Sequence, residues 1–169
     1  KKGEKFTFKI NWNYNIPDRM KLGGRGGYEF FPEDGNHLFT ITQWYPRLCV
    51  YSDFHGWQTN QFTGRGEFAL TFGNFKVTMN VPADHMVAGT GECKNYEQTL
   101  TPTQLARYKK AQNSSEPVQI VTLEEATKAE KSKSKERKTW VFEAENVRDF
   151  AWTTSRKYSW DAMPQLIKE

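Results

Sequence analysis

Apolar and polar residues alternate with a period of two along several stretches of the chain. Phe6, Phe8, Ile10 and Trp12 alternate with Thr7, Lys9 and Asn11, and Phe39 and Ile41 alternate with Thr40 and Thr42. Phe68, Leu70 and Phe72 alternate with Ala69 and Thr71, and Phe75, Val77, Met79 and Val81 with Lys76, Thr78 and Asn80. Successive strand side chains point to opposite faces, so each stretch predicts a strand with one buried and one solvated face. The pair Gly73-Asn74, between the last two runs, predicts a tight hairpin turn. Pro82 predicts the end of the strand before it, because proline has no N–H to give to a sheet ladder. Further strands are expected over residues 86–92, 118–121, 139–144 and 147–154.

Two segments follow a helical pattern instead. In TPTQLARYKKAQ, Thr101 is placed to cap a helix with Pro102 at its first position, and Leu105 and Tyr108 fall on one side. In TLEEATKAEK, Thr122 precedes Glu125 by the three residues of a capping box. Both lie in an insertion running from about residue 97 to residue 138, between two strand-rich blocks. The fold expected is all-β: one domain over residues 1–169, an antiparallel β-sandwich or sandwich-like sheet with a short, partly helical excursion.

Composition sharpens this picture in two places. The 169 residues suffice for one domain burying roughly 70% of its unfolded surface. Aromatic residues make up 15% of the chain, and such rings favour pleated, half-buried surfaces. No apolar run reaches the roughly 20 residues of a membrane span. The start, KKGEKFTFKINW, lacks the apolar segment of a signal peptide and enters a strand pattern almost at once. A processed chain or a piece of a longer one would begin in this way.

The net charge of +4 is concentrated. Residues 128–138, KAEKSKSKERK, hold six basic and two acidic residues, and the remainder of the chain balances. A solvated charged loop is expected there, since no aromatic ring interleaves the charges as a single-strand nucleic-acid surface would require. Cys49 and Cys93 are too few for a disulfide scaffold or a four-cysteine zinc site. Buried free thiols are the first expectation for them, a single disulfide the second.

Candidate chemistry is sparse. His37, His55 and His85 fall in turn-like contexts without helical i+4 partners, and no H-E-x-x-H occurs, so no metal site is expected. A nucleophilic grouping of Cys49, Asp53 and His55 is weaker than its bland alternative. Cys49 in LCVYS reads as strand interior, and Asp53 as a turn residue accepting backbone N–H groups. The glycines of GGRGG (23–27) and GTGE (89–92) lack the strand-turn-helix setting of a phosphate loop and read as loop glycines at positive φ. Gln43 is the exception. It continues the inward phase of Phe39 and Ile41, so its amide is either hydrogen-bonded at a sheet end or presented to a ligand from a cavity wall.

The segments QWYPR (43–47) and FEAENVRDFAW (142–152), with GEFALTFGNFKVTMNVPADHMVAGTGE between them, resemble the N-terminal β domain of the aminopeptidase N-like zinc metallopeptidases, notably their bacterial branch. The resemblance runs from about residue 14 to residue 163. It implies a saddle-like β domain preceding a thermolysin-like catalytic domain whose H-E-x-x-H and downstream glutamate hold zinc. That catalytic domain is not in this chain, so this chain is expected to have no peptidase activity by itself. The implied partners are the catalytic domain of the same polypeptide and the N-terminus of a peptide substrate, with zinc bound outside this chain. Gln43 falls where the family carries a glutamine that binds the substrate's free α-amine. The resemblance alone suggests a bacterial envelope or periplasmic location. Two other functions stand beside it: an independent carbohydrate- or peptide-binding sandwich using Trp44, Trp57 or Trp160, and nucleic-acid binding through residues 128–138.

Overall fold

The alternation around Phe75–Val81 produces the longest pairing in the molecule. In the computed structural model, which describes residues 3–61 and 69–167, strand β5 (Gly73–Pro82) pairs antiparallel with β9 (Arg137–Val147). The register sets Val77 opposite Phe142 and Met79 opposite Trp140. These side chains are buried while Thr78 and Asn80 face solvent, as a half-buried strand requires. Strand β7 (Glu92–Cys93) joins the other side of β9, giving the sheet order β5-β9-β7.

A second sheet, also antiparallel, has the order β1-β2-β10-β6, from β1 (Gly27–Phe31), β2 (Asn36–Ile41), β6 (Met86–Gly89) and β10 (Trp152–Ser155). Val87 from this sheet and Val77, Met79, Trp140 and Phe142 from the other share one core with Phe150, which is fully buried. Two smaller antiparallel pairs complete the strands: β3 (Tyr51–Ser52) with β4 (Gly56–Trp57), and β8 (Val118–Val121) with β11 (Trp160–Ala162). Among the described residues strand accounts for 34% and helix for 18%, and the sheets form no barrel. The chain is therefore mainly β.

The helices are short: α1 (Arg19–Leu22), α2 (Tyr96–Thr99), α3 (Pro102–Ala111) and α4 (Leu123–Ser132). The expected capping box of Thr122 with Glu125 forms on α4, and Thr101 caps α3 as expected, there too as a capping box, with Gln104. Helix α3 packs over β8, where Ala111, Ile120 and Val121 make a second, smaller core. Among the described residues, no helix is long and apolar enough to cross a membrane.

Several expectations need correction. Residues 6–12 form no strand and pair with no other, and Phe6 is 84% exposed. Alternation makes a segment fit for a sheet but does not supply the neighbouring edge it needs. Gly73-Asn74 is not a hairpin turn but the start of β5, and Asn74 Oδ1 there accepts the N–H of Asn146, itself at φ 51°. Of the strand expected before it, Phe68 lies outside the described residues and residues 69–72 are irregular.

The single strand expected over 86–92 divides into β6 and β7, which serve different sheets. Gly91 makes the crossing possible at φ 84°, since a Cβ there would lie 2.2 Å from the Glu143 carbonyl oxygen. Likewise residues 148–151 break the run expected over 147–154. The basic segment is not a loop. It forms the last turns of α4 and the first residues of β9, with only residues 133–136 between them. Lys133 reaches the Asp34 carbonyl at 2.7 Å and Lys138 the Thr99 carbonyl at 2.6 Å, so part of this charge holds the fold together.

Candidate functional site

Gln43 follows the end of β2 by two residues, and the structure does not bury it. It is exposed and takes φ 49°, one of three non-glycine residues described at positive φ. A left-handed backbone costs a residue bearing a Cβ about 1–2 kcal/mol. The inward phase read from Phe39 and Ile41 therefore ends with the strand, and the amide emerges at the rim of a cavity of about 510 Å³.

The cavity is walled by Tyr14 and Pro17 from the N-terminal segment, by Gly26 and Gly27, and by Thr40 and Thr42. Gly27, at φ 142°, lies so close to the chain that an added Cβ would fall 2.5 Å from the Pro17 carbonyl oxygen. At Gly26 an added Cβ would fall 2.6 Å from Thr42 Oγ1. The GGRGG stretch thus does more than turn the chain: Gly26 lets it close against Thr42, next to Gln43, and Gly27 lets it close against Pro17 and Arg19. Arg19 ties α1 to the same sheet through Glu29 at 2.9 Å.

On its other side Gln43 is fixed by Trp44, Tyr45 and Arg47. Trp44 Nε1 donates to the Phe150 carbonyl at 2.9 Å, and Tyr45 Oη donates to Asp149 Oδ1 at 2.8 Å. Arg47 donates from Nη2 to the Arg148 carbonyl at 2.6 Å, while its Nη1 sits 3.2 Å from Asp149 Oδ1 as an ion pair without hydrogen-bond alignment. Burial, and then the Asp149 carboxylate, push the Tyr45 phenol above its ordinary pKa and keep it a neutral donor. Trp12 caps the assembly by donating Nε1 to the Trp44 carbonyl at 3.1 Å. QWYPR and the RDFAW end of the second segment are therefore one contact. Asp149 and Trp12 went unseen in the sequence as members of this site, because only long-range pairing brings them to it.

The other candidate residues remain apart. Cys49 is exposed, free and outside any strand, while Cys93 is free and buried in β7. This corrects the expectation that both thiols are buried, and no disulfide joins them. Asp53 and His55 lie in the β3–β4 turn, where the Ser52 hydroxyl accepts the His55 N–H at 3.2 Å, the service expected of Asp53. His37 is a strand residue set among the rings of Tyr28, Phe30 and Phe39. His85 is buried immediately before β6. The Thr154 hydroxyl donates to the Met86 carbonyl at 2.8 Å and so must accept from His85 Nδ1 at 3.1 Å, leaving Nε2 as a buried acceptor without a partner. Among the described residues no three His, Cys, Asp or Glu side chains group as metal ligands.

The tryptophans named as a binding platform do not share one. Trp44 packs edge-on against Trp152 and Trp57 edge-on against Tyr51, while Trp160 lies tilted against Tyr96 and Tyr108. Trp160 also lines a second cavity of about 450 Å³ with Tyr96, Phe142 and Tyr158. No family model matches the chain, and no curated protein or solved structure matches it.

Proposed function

We propose that this chain is the non-catalytic N-terminal β domain of an aminopeptidase N-like zinc metallopeptidase, its two larger sheets arranged as the layers of a saddle-like sandwich. In this reading it buttresses the catalytic domain of the same polypeptide and forms one wall of the peptide cleft. Gln43 is the residue that meets the substrate, its amide oxygen accepting from the free α-ammonium. The observation that carries the reading is the combination at Gln43: an exposed amide in a left-handed conformation, at a cavity rim, fixed from behind by Trp44. Strain retained at an exposed polar residue is a common mark of function.

Zinc does not fit the described residues, whose histidines are separated and engaged in packing or turns. It belongs in this reading to the catalytic domain, and positioning an amine without the metal gives no turnover. Assay of this chain with aminoacyl chromogenic substrates, with and without zinc, is expected to give no hydrolysis. Zinc-dependent turnover matching an intact aminopeptidase would overturn the proposal.

A second reading rests on Trp57, 64% exposed and edge-on to Tyr51 on the β3–β4 hairpin. Such a pair suits stacking against a sugar ring in an independent binding module. A saturable glycan-induced change in tryptophan fluorescence, abolished by Trp57→Ala, would favour it over the peptidase domain.

A further inference from the structure

Gln43 is bracketed by a single stretch of chain. Before it, Ile41 pairs with Trp152 at the end of β2; after it, Trp44 hydrogen-bonds to Phe150, two residues back along the same stretch. The chain between Ile41 and Trp44 must therefore make a jog, and Gln43 makes it by adopting the left-handed conformation. Released from these ties, a residue with a Cβ would leave that region, which is disfavoured by about 1–2 kcal/mol.

Asp149 holds the far side of the jog. Its Oδ1 accepts from Tyr45 Oη and from its neighbouring Phe150 N–H, each at 2.8 Å, and pairs with Arg47. The Tyr45 ring also packs edge-on against Phe75 and Trp44, with centroid separations of 5.6 and 5.2 Å. Resting on the reading of Gln43 as an amine-binding residue, we propose that Tyr45 and Asp149 are its positioning residues. Their hydrogen bond fixes the backbone of 43–45 and so aims the Gln43 amide across the cavity rim at a primary ammonium.

The test uses isotope-labelled chain and two readouts in one set of nuclear magnetic resonance spectra. Backbone chemical shifts of Gln43 report its conformation without any ligand. Titration with alanyl-alanine amide, with its N-acetylated form as control, reports amine binding at the Gln43 side chain. In the unaltered chain Gln43 is expected to be left-handed, and only the free-amine dipeptide to move its side-chain resonances. Tyr45→Phe, which keeps the ring on Phe75, and Asp149→Ala are expected to shift Gln43 out of the left-handed region and weaken the dipeptide about tenfold. The core Trp140 indole resonance should stay where it is in Tyr45→Phe. Gln43 shifts unchanged in Tyr45→Phe would overturn the positioning proposal, whatever the dipeptide does. A dipeptide that fails to bind the unaltered chain, while Tyr45→Phe still displaces Gln43, would remove the amine reading and leave the positioning standing.

Discussion

The indole N–H of Trp44 donates to the carbonyl of Phe150 at 2.9 Å, across more than a hundred residues of sequence. Phe150 is fully buried between the two larger sheets, so this bond fastens the segment bearing Gln43 directly to the core. Trp44→Phe keeps an apolar ring but deletes the donor. It is expected to lower stability by about 2 kcal/mol, because a poorly hydrated carbonyl loses its partner. Urea unfolding measures this, and a loss below about 0.5 kcal/mol would mean that the bond does not fasten the segment.

Gln43 itself separates backbone strain from function. Glycine relieves the left-handed strain but makes the unfolded chain more flexible, so Gln43→Gly should unfold within about 0.5 kcal/mol of the original. Gln43→Val, with a branched side chain at positive φ, should lose about 1–2 kcal/mol. Both should lose amine binding. Equal stabilities for the two variants would argue against the left-handed conformation.

His85 makes stability depend on pH. Burial first, then the positive charge of Arg156 and, more weakly, Arg137 and His37, lower its pKa from 6.5 to about 4, against an opposing pull from Asp84. The fold thus prefers neutral imidazole, whereas the unfolded chain protonates normally. The contribution is complete above pH 6.5 and is lost as pH falls toward 4, by up to about 3 kcal/mol. Asp84 adds an acid loss of the same sign: burial raises its carboxyl pKa, but Arg156, Ser132 and Ser134 together outweigh that and hold it below its ordinary value. Comparing urea midpoints from pH 7 to 4 isolates the histidine: His85→Gln should flatten the upper part of the slope.

The cap on α4 is a local device with a global effect. Thr122 Oγ1 accepts the Glu125 N–H at 3.1 Å, while Glu125 returns a bond to the Thr122 N–H and pairs with Arg107 at 2.7 Å. Thr122→Ala is expected to cost about 1 kcal/mol, or roughly 2–4 °C in Tm for a domain of this size. Differential scanning calorimetry reads the shift, and no change would mean that the helix start is held by the ion pair alone.

Local chemistry was legible in the sequence wherever it settles its own outcome. Thr101-Pro102 and Thr122 with Glu125 cap their helices as their spacing requires, and Pro82 closes its strand. Period-two alternation located β5, but it could not say that β5 would pair with β9 or that residues 6–12 would find no edge, since both depend on distant partners. For the same reason Gly73-Asn74 reads as a turn: its composition permits one, and its pairing with β9, Gly73 opposite Val147 and the Asn146 N–H on Asn74 Oδ1, draws it into a strand. Gln43 stood out because it broke a phase. What the phase break could not reveal was that the strand stops first, or that Asp149 would hold the residue two places beyond Gln43.

The register that sets Pro82 opposite Arg137 makes β5 and β9 the two arms of a hairpin whose loop is the whole of residues 83–136. That loop is not decoration, because it contributes β6 to one sheet and β7 to the other. The three-stranded sheet cannot be completed before the hairpin closes, and closing so long a loop costs entropy before any distant contact repays it. Folding should therefore be slow for a chain of this length and gated by a single event. Variants at the Met79–Trp140 pairing should slow refolding, whereas variants in the β3–β4 hairpin, which closes on its own, should leave the refolding rate unchanged.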